Sequence, residues 1–180
     1  MDFASLGKNV RISDKAAIYG ADQMRIGDHS RIDDFCVVSG LVEIGRNVHV
    51  GPFCLVAGGT PGIRLEDFSG LAYRVTVFAQ SDDYSGATMT NPTVPAWFKQ
   101  EMRLPVRVGR HVIVGTGAII APGVELGDGS AVGAGSLVLK SCLPWSILAG
   151  MPARKIKERR QDLLQLEATY LTGDGSGGQE

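Results

Sequence analysis

A period of six residues runs through this chain, and it leaves few folds open. Val108, Val114, Ile120, Leu126, Val132 and Val138 are all aliphatic and fall six apart. One place after each come Gly109, Gly115, Ala121, Gly127, Gly133 and Leu139. Four places after come Val112, Ala118, Val124, Ser130, Ser136 and Cys142, all small or β-branched. A helix repeats at about 3.6 residues and a strand at about 2, so neither sustains a six. A parallel β-helix of hexapeptides does, each hexapeptide being a short strand and a turn, with three to a triangular coil. The aliphatic residue fills the prism and the small one fits where the inside is tight. The glycine suits a turn with unusual dihedrals.

The register extends backwards. Leu6, Ile12 and Ile18 give one weak coil, and Ile26, Ile32, Val38, Ile44, Val50 and Val56 give two more. A three-residue bulge at Pro61-Gly62 precedes Leu65, Leu71 and Val77, the fourth coil. With the two coils from Val108 this makes six, a prism about 30 Å tall at the usual strand spacing. The fold expected is therefore all-β, one β-helix domain over residues 1–153. Cys36, Cys54 and Cys142 each stand four places after an aliphatic position. That marks them as small core residues, against a competing reading as nucleophile or metal ligand.

Residues 79–106 break the period. A loop of this length projecting from a regular scaffold is functional or disordered, and its aromatics and prolines argue for order. It carries Gln80, Asp82, Asp83, Tyr84, Asn91 and Trp97. We expect it to wall a cleft, with Gln80, Tyr84, Asn91 and Trp97 toward substrate; the competing role is an arm that only joins subunits. After Cys142, Pro152 is expected to open a helix over residues 154–171, with Ile156, Leu163, Leu164 and Leu166 as its apolar stripe. Arg154, Lys155, Lys157, Arg159 and Arg160 cluster at its start, where cations oppose the helix dipole. They point to an anionic partner, against the blander reading of a solvated charged face. Residues 172–180 read as a flexible tail.

A net charge of −1 gives no reason to expect nucleic-acid binding. There is no apolar run long enough for a membrane span, and MDFASLGKNV lacks the apolar core of a signal peptide, so a cytoplasmic protein is expected.

The hexads, SDDYSG and TNPTVP in the loop, and AGMPARKIK after the last coil together resemble the hexapeptide-repeat acyltransferases, over residues 26–157. The likeness is greatest to galactoside and maltose O-acetyltransferases and their relatives in surface-polysaccharide synthesis. It implies a left-handed β-helix, a homotrimer, and acetyl-coenzyme A lying in a cleft between neighbouring prisms. It places Thr116 near the pantetheine, Ala134, Leu139 and Lys140 along the upper coils, and Arg154 and Lys157 at the coenzyme's phosphates. Guanidinium and ammonium groups suit phosphates. Where that family has a catalytic histidine, this chain has Asp82, and no histidine lies in the loop. A carboxylate can serve as base if burial or a neighbouring carboxylate raises its pKa, and Asp83 is adjacent. The alternative is that Asp82 and Asp83 orient the acceptor, or merely shape the turn.

The same prism serves γ-type carbonic anhydrases, which hold zinc through three histidines. His49 and His111 stand on coils with another between them, about 10 Å apart along the axis, too far for one zinc. No metal is expected. A non-catalytic scaffold would leave the loop and the basic cluster without a role. The activity expected is O-acetylation of a sugar or sugar-containing acceptor, with N-acetylation of a nucleotide-linked amino sugar as the second reading.

Overall fold

The computed structural model describes residues 2–173. Its strands stack in three parallel columns, which are the three faces of a prism. Face 1 runs through Leu6, Ile26, Ile44, Leu65, Val108 and Leu126, and ends on a bridge to Cys142. Face 2 runs through Ile12, Ile32, Val50, Leu71, Val114, Val132 and Leu148. Face 3 runs through Ile18, Val38, Val56, Val77, Ile120 and Val138. Every aliphatic hexad position thus pairs with the hexad position one coil away. The six coils are complete, and Cys142 and Leu148 carry part of a seventh. From Ile26 to Val138 these side chains are buried in one continuous core, whereas Leu6 in the first coil is 53% exposed.

The glycines have a different cause from the one expected. The turn residue with positive φ is the third after the aliphatic position, not the first: Asn9, His29, Asn47, Phe68 and His111 between faces 1 and 2, and Phe35, Phe53, Arg74, Gly117 and Gly135 between faces 2 and 3. The glycine in first place lies where successive coils approach most closely. A Cβ on Gly27 would stand 2.7 Å from the carbonyl carbon of Gly45, and one on Gly115 would stand 2.6 Å from the backbone nitrogen of Ala134. Backbone at that distance leaves room for hydrogen only.

The C-terminal segment also differs. Ala153–Glu158 is a strand, antiparallel to Ser146–Gly150, and the helix is confined to Leu163–Thr172. The last coil would otherwise expose a row of unpaired backbone groups, which the returning strand satisfies. A helix begun at residue 154 would have put five cations at its N-terminus. Of the expected tail, Thr172 ends the helix and Gly173 caps it; the remainder lies outside the described residues. The helix lies along the corner between faces 1 and 2. There Glu167 meets Arg110 and lies 2.9 Å from Nε2 of His111, and Tyr170 accepts a hydrogen bond from Asn47. Arg159 straps the segment down by donating from Nη1 to the carbonyls of His111 and Gly129.

Two substitutions separate close approach from turn strain. Gly27→Ala should lower the unfolding free energy by about 1–3 kcal/mol or more, because backbone must move. Gly117 has positive φ but open space around its missing Cβ, so Gly117→Ala should lose only the left-handed penalty of about 1–2 kcal/mol. Thermal melts that rank Gly117→Ala as the more damaging would contradict the close-packing account.

Candidate active site

The long loop leaves at the corner between faces 3 and 1 as a short antiparallel ribbon, Gln80–Ser81 against Met102–Arg103. Its base is held by Glu101. That carboxylate accepts from Lys99 at 3.0 Å, from Arg103 at 3.0 Å and from Gln80 at 3.1 Å. The Lys99 side chain is 9% exposed, so its ammonium is tied into the loop by this pairing. Gln80, expected to face substrate, instead latches the loop to the neighbouring bulge. Its Oε1 accepts the backbone N–H of Thr60 at 3.0 Å while its Nε2 donates to Glu101. Gly59 makes room for it, since a Cβ there would fall 1.7 Å from that Oε1.

The two aspartates have separate environments. Asp83 accepts from the backbone N–H of Ser85 at 2.9 Å, from its hydroxyl at 2.8 Å and from Thr88 at 3.2 Å. The Ser85 backbone N–H, then its hydroxyl, hold the Asp83 carboxyl below the usual carboxylate range. A carboxylate so stabilised is a weak proton acceptor, and Asp83 acts as the anchor of a turn rather than one half of a raised pair. Asp82 is half-buried and accepts one contact, from the backbone N–H of Asn91 at 3.3 Å. Its second oxygen has no hydrogen-bond partner among the described residues. The Asn91 side chain closes its own turn on Thr93, with Oδ1 accepting from backbone and hydroxyl. Tyr84 is 92% exposed and Trp97 80%, the latter touching Phe98 at 5.8 Å between ring centres. These rings jut from the arm into solvent.

The residues assigned to the coenzyme fall in two groups. Thr116 and Ala134 are exposed on successive coils at the corner between faces 2 and 3, where Gly135 N–H donates to the Thr116 carbonyl at 2.8 Å. Lys140 and Arg154 line one groove of about 410 Å³ at the top of the prism, beside Cys142 and Lys155. Leu139 is exposed just before that groove, and Lys157 lies on the returning strand opposite Ile147. The basic cluster sorts itself. Lys155 pairs with Glu158, Arg160 with Asp162, and Arg159 is held by carbonyls. Arg154 and Lys157 have no carboxylate partner among the described residues.

One groove escaped the sequence reading. About 530 Å³ opens between the bulge and the arm's exit, lined by Leu41, Ile63, Arg64, Leu104, Val106 and Arg107. The signal was present, since the bulge and the arm interrupt the six-residue period at the same corner, between faces 3 and 1. The histidines are dispersed. His49 meets Asp33 at 2.8 Å, His111 meets Glu167, and His29 lies 3.4 Å from Asn9. Burial, followed by Arg110 and Arg159, pushes the His111 pKa down, which keeps its imidazole neutral. Among the described residues no three His, Cys, Asp or Glu side chains are grouped to hold a metal ion.

If Glu101 fixes the arm, Glu101→Gln should speed proteolytic cleavage within residues 82–100 several-fold while leaving the melting temperature of the prism nearly unchanged. Unchanged cleavage would show that the arm is held by other contacts.

With this geometry in place, four likenesses bear on identity. The model for bacterial transferase hexapeptides (six repeats) matches residues 24–58 and 105–140. A dTDP-4-amino-4,6-dideoxy-D-glucose acyltransferase of Escherichia coli is 39% identical over 173 residues, spanning 94% of this chain and 90% of that one. The crystal structure of AntD, an N-acyltransferase from Bacillus cereus, in complex with dTDP and 3-hydroxybutyryl-CoA, is 42% identical with a TM-score of 0.94, covering 97% of this chain and 93% of that one. A maltose O-acetyltransferase from Clostridium difficile shares the fold at 22% identity and a TM-score of 0.57, covering 88% of this chain and 71% of its own. A likeness that spans the prism, the arm and the capping strand alike leaves one conclusion: this chain belongs to the hexapeptide-repeat acyltransferases.

Proposed function

We propose that this enzyme transfers an acyl group from an acyl-coenzyme A to the 4-amino group of a dTDP-linked 4-amino-4,6-dideoxy sugar. The observation that carries the proposal is the 39% identity, over nearly the whole length of both chains, to an acyltransferase of that substrate. O-acetylation, the first reading of the sequence, gives way to the second. The O-acetyltransferase likeness is at the level of fold, while the relatives near 40% identity act on an amine. The arm's chemistry agrees. A hydroxyl is a poor nucleophile without a strong base, and the arm offers no histidine. An amine attacks a thioester once it is free of its extra proton.

The step balances simply. The amine nitrogen attacks the thioester carbonyl carbon, the N–C bond forms and the C–S bond breaks. Nitrogen gives up a proton, and the coenzyme leaves as its thiol. Asp82, with an oxygen to spare, is placed to hold the ammonium and take or steer that proton, while Asp83 keeps the turn that presents it. Arg154 and Lys157, without carboxylate partners, suit the coenzyme's phosphates. Thr116 and Ala134 lie on the corner that leads up to them.

A trimer completes the picture. The outward positions of face 3 are Ala17, Val37, Leu55, Thr76, Ile119 and Leu137, none charged. Those of face 1 include Arg25, Glu43, Arg64, Arg107 and Glu125. Beside face 3, Phe35 and Phe53 stack at 5.0 Å on an exposed corner. An uncharged strip this long calls for a neighbour. No helix among the described residues is long and apolar enough to cross a membrane. Water-soluble donor and acceptor support work in the cytoplasm, preparing a sugar for a surface polysaccharide.

Thiol release from acetyl-CoA and 3-hydroxybutyryl-CoA should appear with dTDP-4-amino-4,6-dideoxyglucose and not with free maltose or galactosides. Asp82→Asn should lower kcat by about a hundredfold with KM for acyl-CoA kept, if Asp82 takes the proton, or chiefly raise the amino sugar's KM if it orients. Native kinetics in Asp82→Asn would place the proton acceptor elsewhere. Light scattering should give three copies; a monomer at micromolar concentration would remove the cleft.

A further inference from the structure

The lower part of face 2 has a cluster that the acyl-transfer chemistry does not use. Arg11, Arg31 and His49 stack outward in register over the first three coils. Above them the same column is Gly70, Ile113, Ala131 and Ile147, without a charge. Asp33, 8% exposed, sits between Arg31 and His49. It accepts Nε–H of Arg31 on one oxygen and approaches Nε2 of His49 at 2.8 Å with the other. Burial pushes the Asp33 pKa up, but the hydrogen bonds from His49 and Arg31 outweigh it and hold the carboxyl ionised. The two side chains are therefore locked in place. Arg31 keeps its terminal Nη groups for an outside acceptor, and Arg11 has no carboxylate partner among the described residues. Both line one groove of about 450 Å³ with Asn9, His29 and Ser30.

We propose that this cluster grips the diphosphate of the nucleotide-sugar acceptor, within the cleft between neighbouring copies that the family resemblance implies. The inference rests on the dTDP-sugar reading above. Two guanidinium forks one coil apart, about 4.8 Å, suit an anion of two linked phosphates. The arm leaves between faces 3 and 1, and face 2 is the side of the prism opposite that corner. Asp82 and the cluster of one copy are thus on opposite sides and cannot hold one substrate. A second copy seated along uncharged face 3 brings the two together. Vertically they are compatible: the cluster occupies coils one to three and the arm leaves coil four, so the separation along the axis is about 5–14 Å by strand spacing. A nucleoside-diphosphate sugar bridges such a gap, with its amine at the arm and its diphosphate below. The coenzyme then runs upward toward Arg154, and the two diphosphates lie on opposite sides of the reacting atoms.

The native enzyme is first assayed for thiol release with dTDP-4-amino-4,6-dideoxyglucose; inactivity there counts against the acyl-transfer reading itself. With an active enzyme, Arg11→Ala/Arg31→Ala should raise KM for the nucleotide sugar by about tenfold or more, leaving that for acyl-CoA unchanged. Inhibition by dTDP should weaken more than inhibition by thymidine. Arg11→Ala alone removes a side chain with no carboxylate partner, so it reports even if the double variant folds poorly. A native KM for the nucleotide sugar in either folded variant overturns the site. The double variant is then co-expressed with Asp82→Asn, or with an arm truncated between residues 83 and 98 should Asp82→Asn stay active. Random trimers should recover about a quarter of native activity, since one site in four draws an intact cluster and an intact arm from different copies. Mixed trimers no more active than their parents would overturn the two-copy arrangement.

Discussion

Each coil of this prism hydrogen-bonds through its backbone to the coil above and below, about 4.8 Å away, and everything else conforms to that spacing. The bonds are main-chain, so they need close approach rather than particular side chains. Close approach explains Gly27, Gly45, Gly109, Gly115 and Gly127, whose missing Cβ atoms would each fall within 2.7 Å of an atom in the next coil. It also explains why the aliphatic columns have no gaps: three hexapeptides, one per face, bring the same position back to the same column one coil higher. The uppermost strand would lack this partner, and the antiparallel return of Ala153–Glu158 supplies one.

The spacing sets where chemistry can happen. The inside of the prism is filled by the buried aliphatic columns, so a site must be made outside it, from corners, interruptions and neighbours. The arm is the largest interruption, and its base is organised by Glu101, Lys99 and Gln80. Face 1 is laced by ion pairs such as Glu43–Arg64 and Glu66–Arg107, whereas face 3 is uncharged. In the proposed assembly, face 3 meets a neighbouring copy and the arm of one copy lies against a face of another.

The fold was legible because its signal is a strict period that only one architecture satisfies. Val108 to Val138 alone established the coil, and the pairing of Ile26 with Ile44 and of Leu65 with Val108 followed from it. The causes of single residues were less legible. The turn residues Phe35, Phe53 and Phe68 have positive φ without being glycine, because the corner geometry outweighs their intrinsic preference. The strand at Ala153–Glu158 was read as helix, since Pro152 and an apolar spacing are local signals while the need of an unpaired edge is not. In the site, position in sequence pointed to Asp82 but made Asp83 its equal. The hydrogen bonds from Ser85 and Thr88 are what separate a carboxylate that anchors a turn from one with an oxygen unpartnered among the described residues. The cluster of Arg11, Arg31 and His49 was invisible because its members are 18 and 20 residues apart and meet only through coil register.

The central claim is that the acyl group ends on nitrogen, and the stability of the product's new bond tests it directly. The purified enzyme is incubated with dTDP-4-amino-4,6-dideoxyglucose and acetyl-CoA, and the acylated product is treated with alkaline hydroxylamine, which cleaves oxygen esters, and weighed by mass spectrometry. An amide keeps its acyl group under these conditions, and this is the result the structure predicts. Loss of the acyl group as a hydroxamate would reveal an ester and contradict the account.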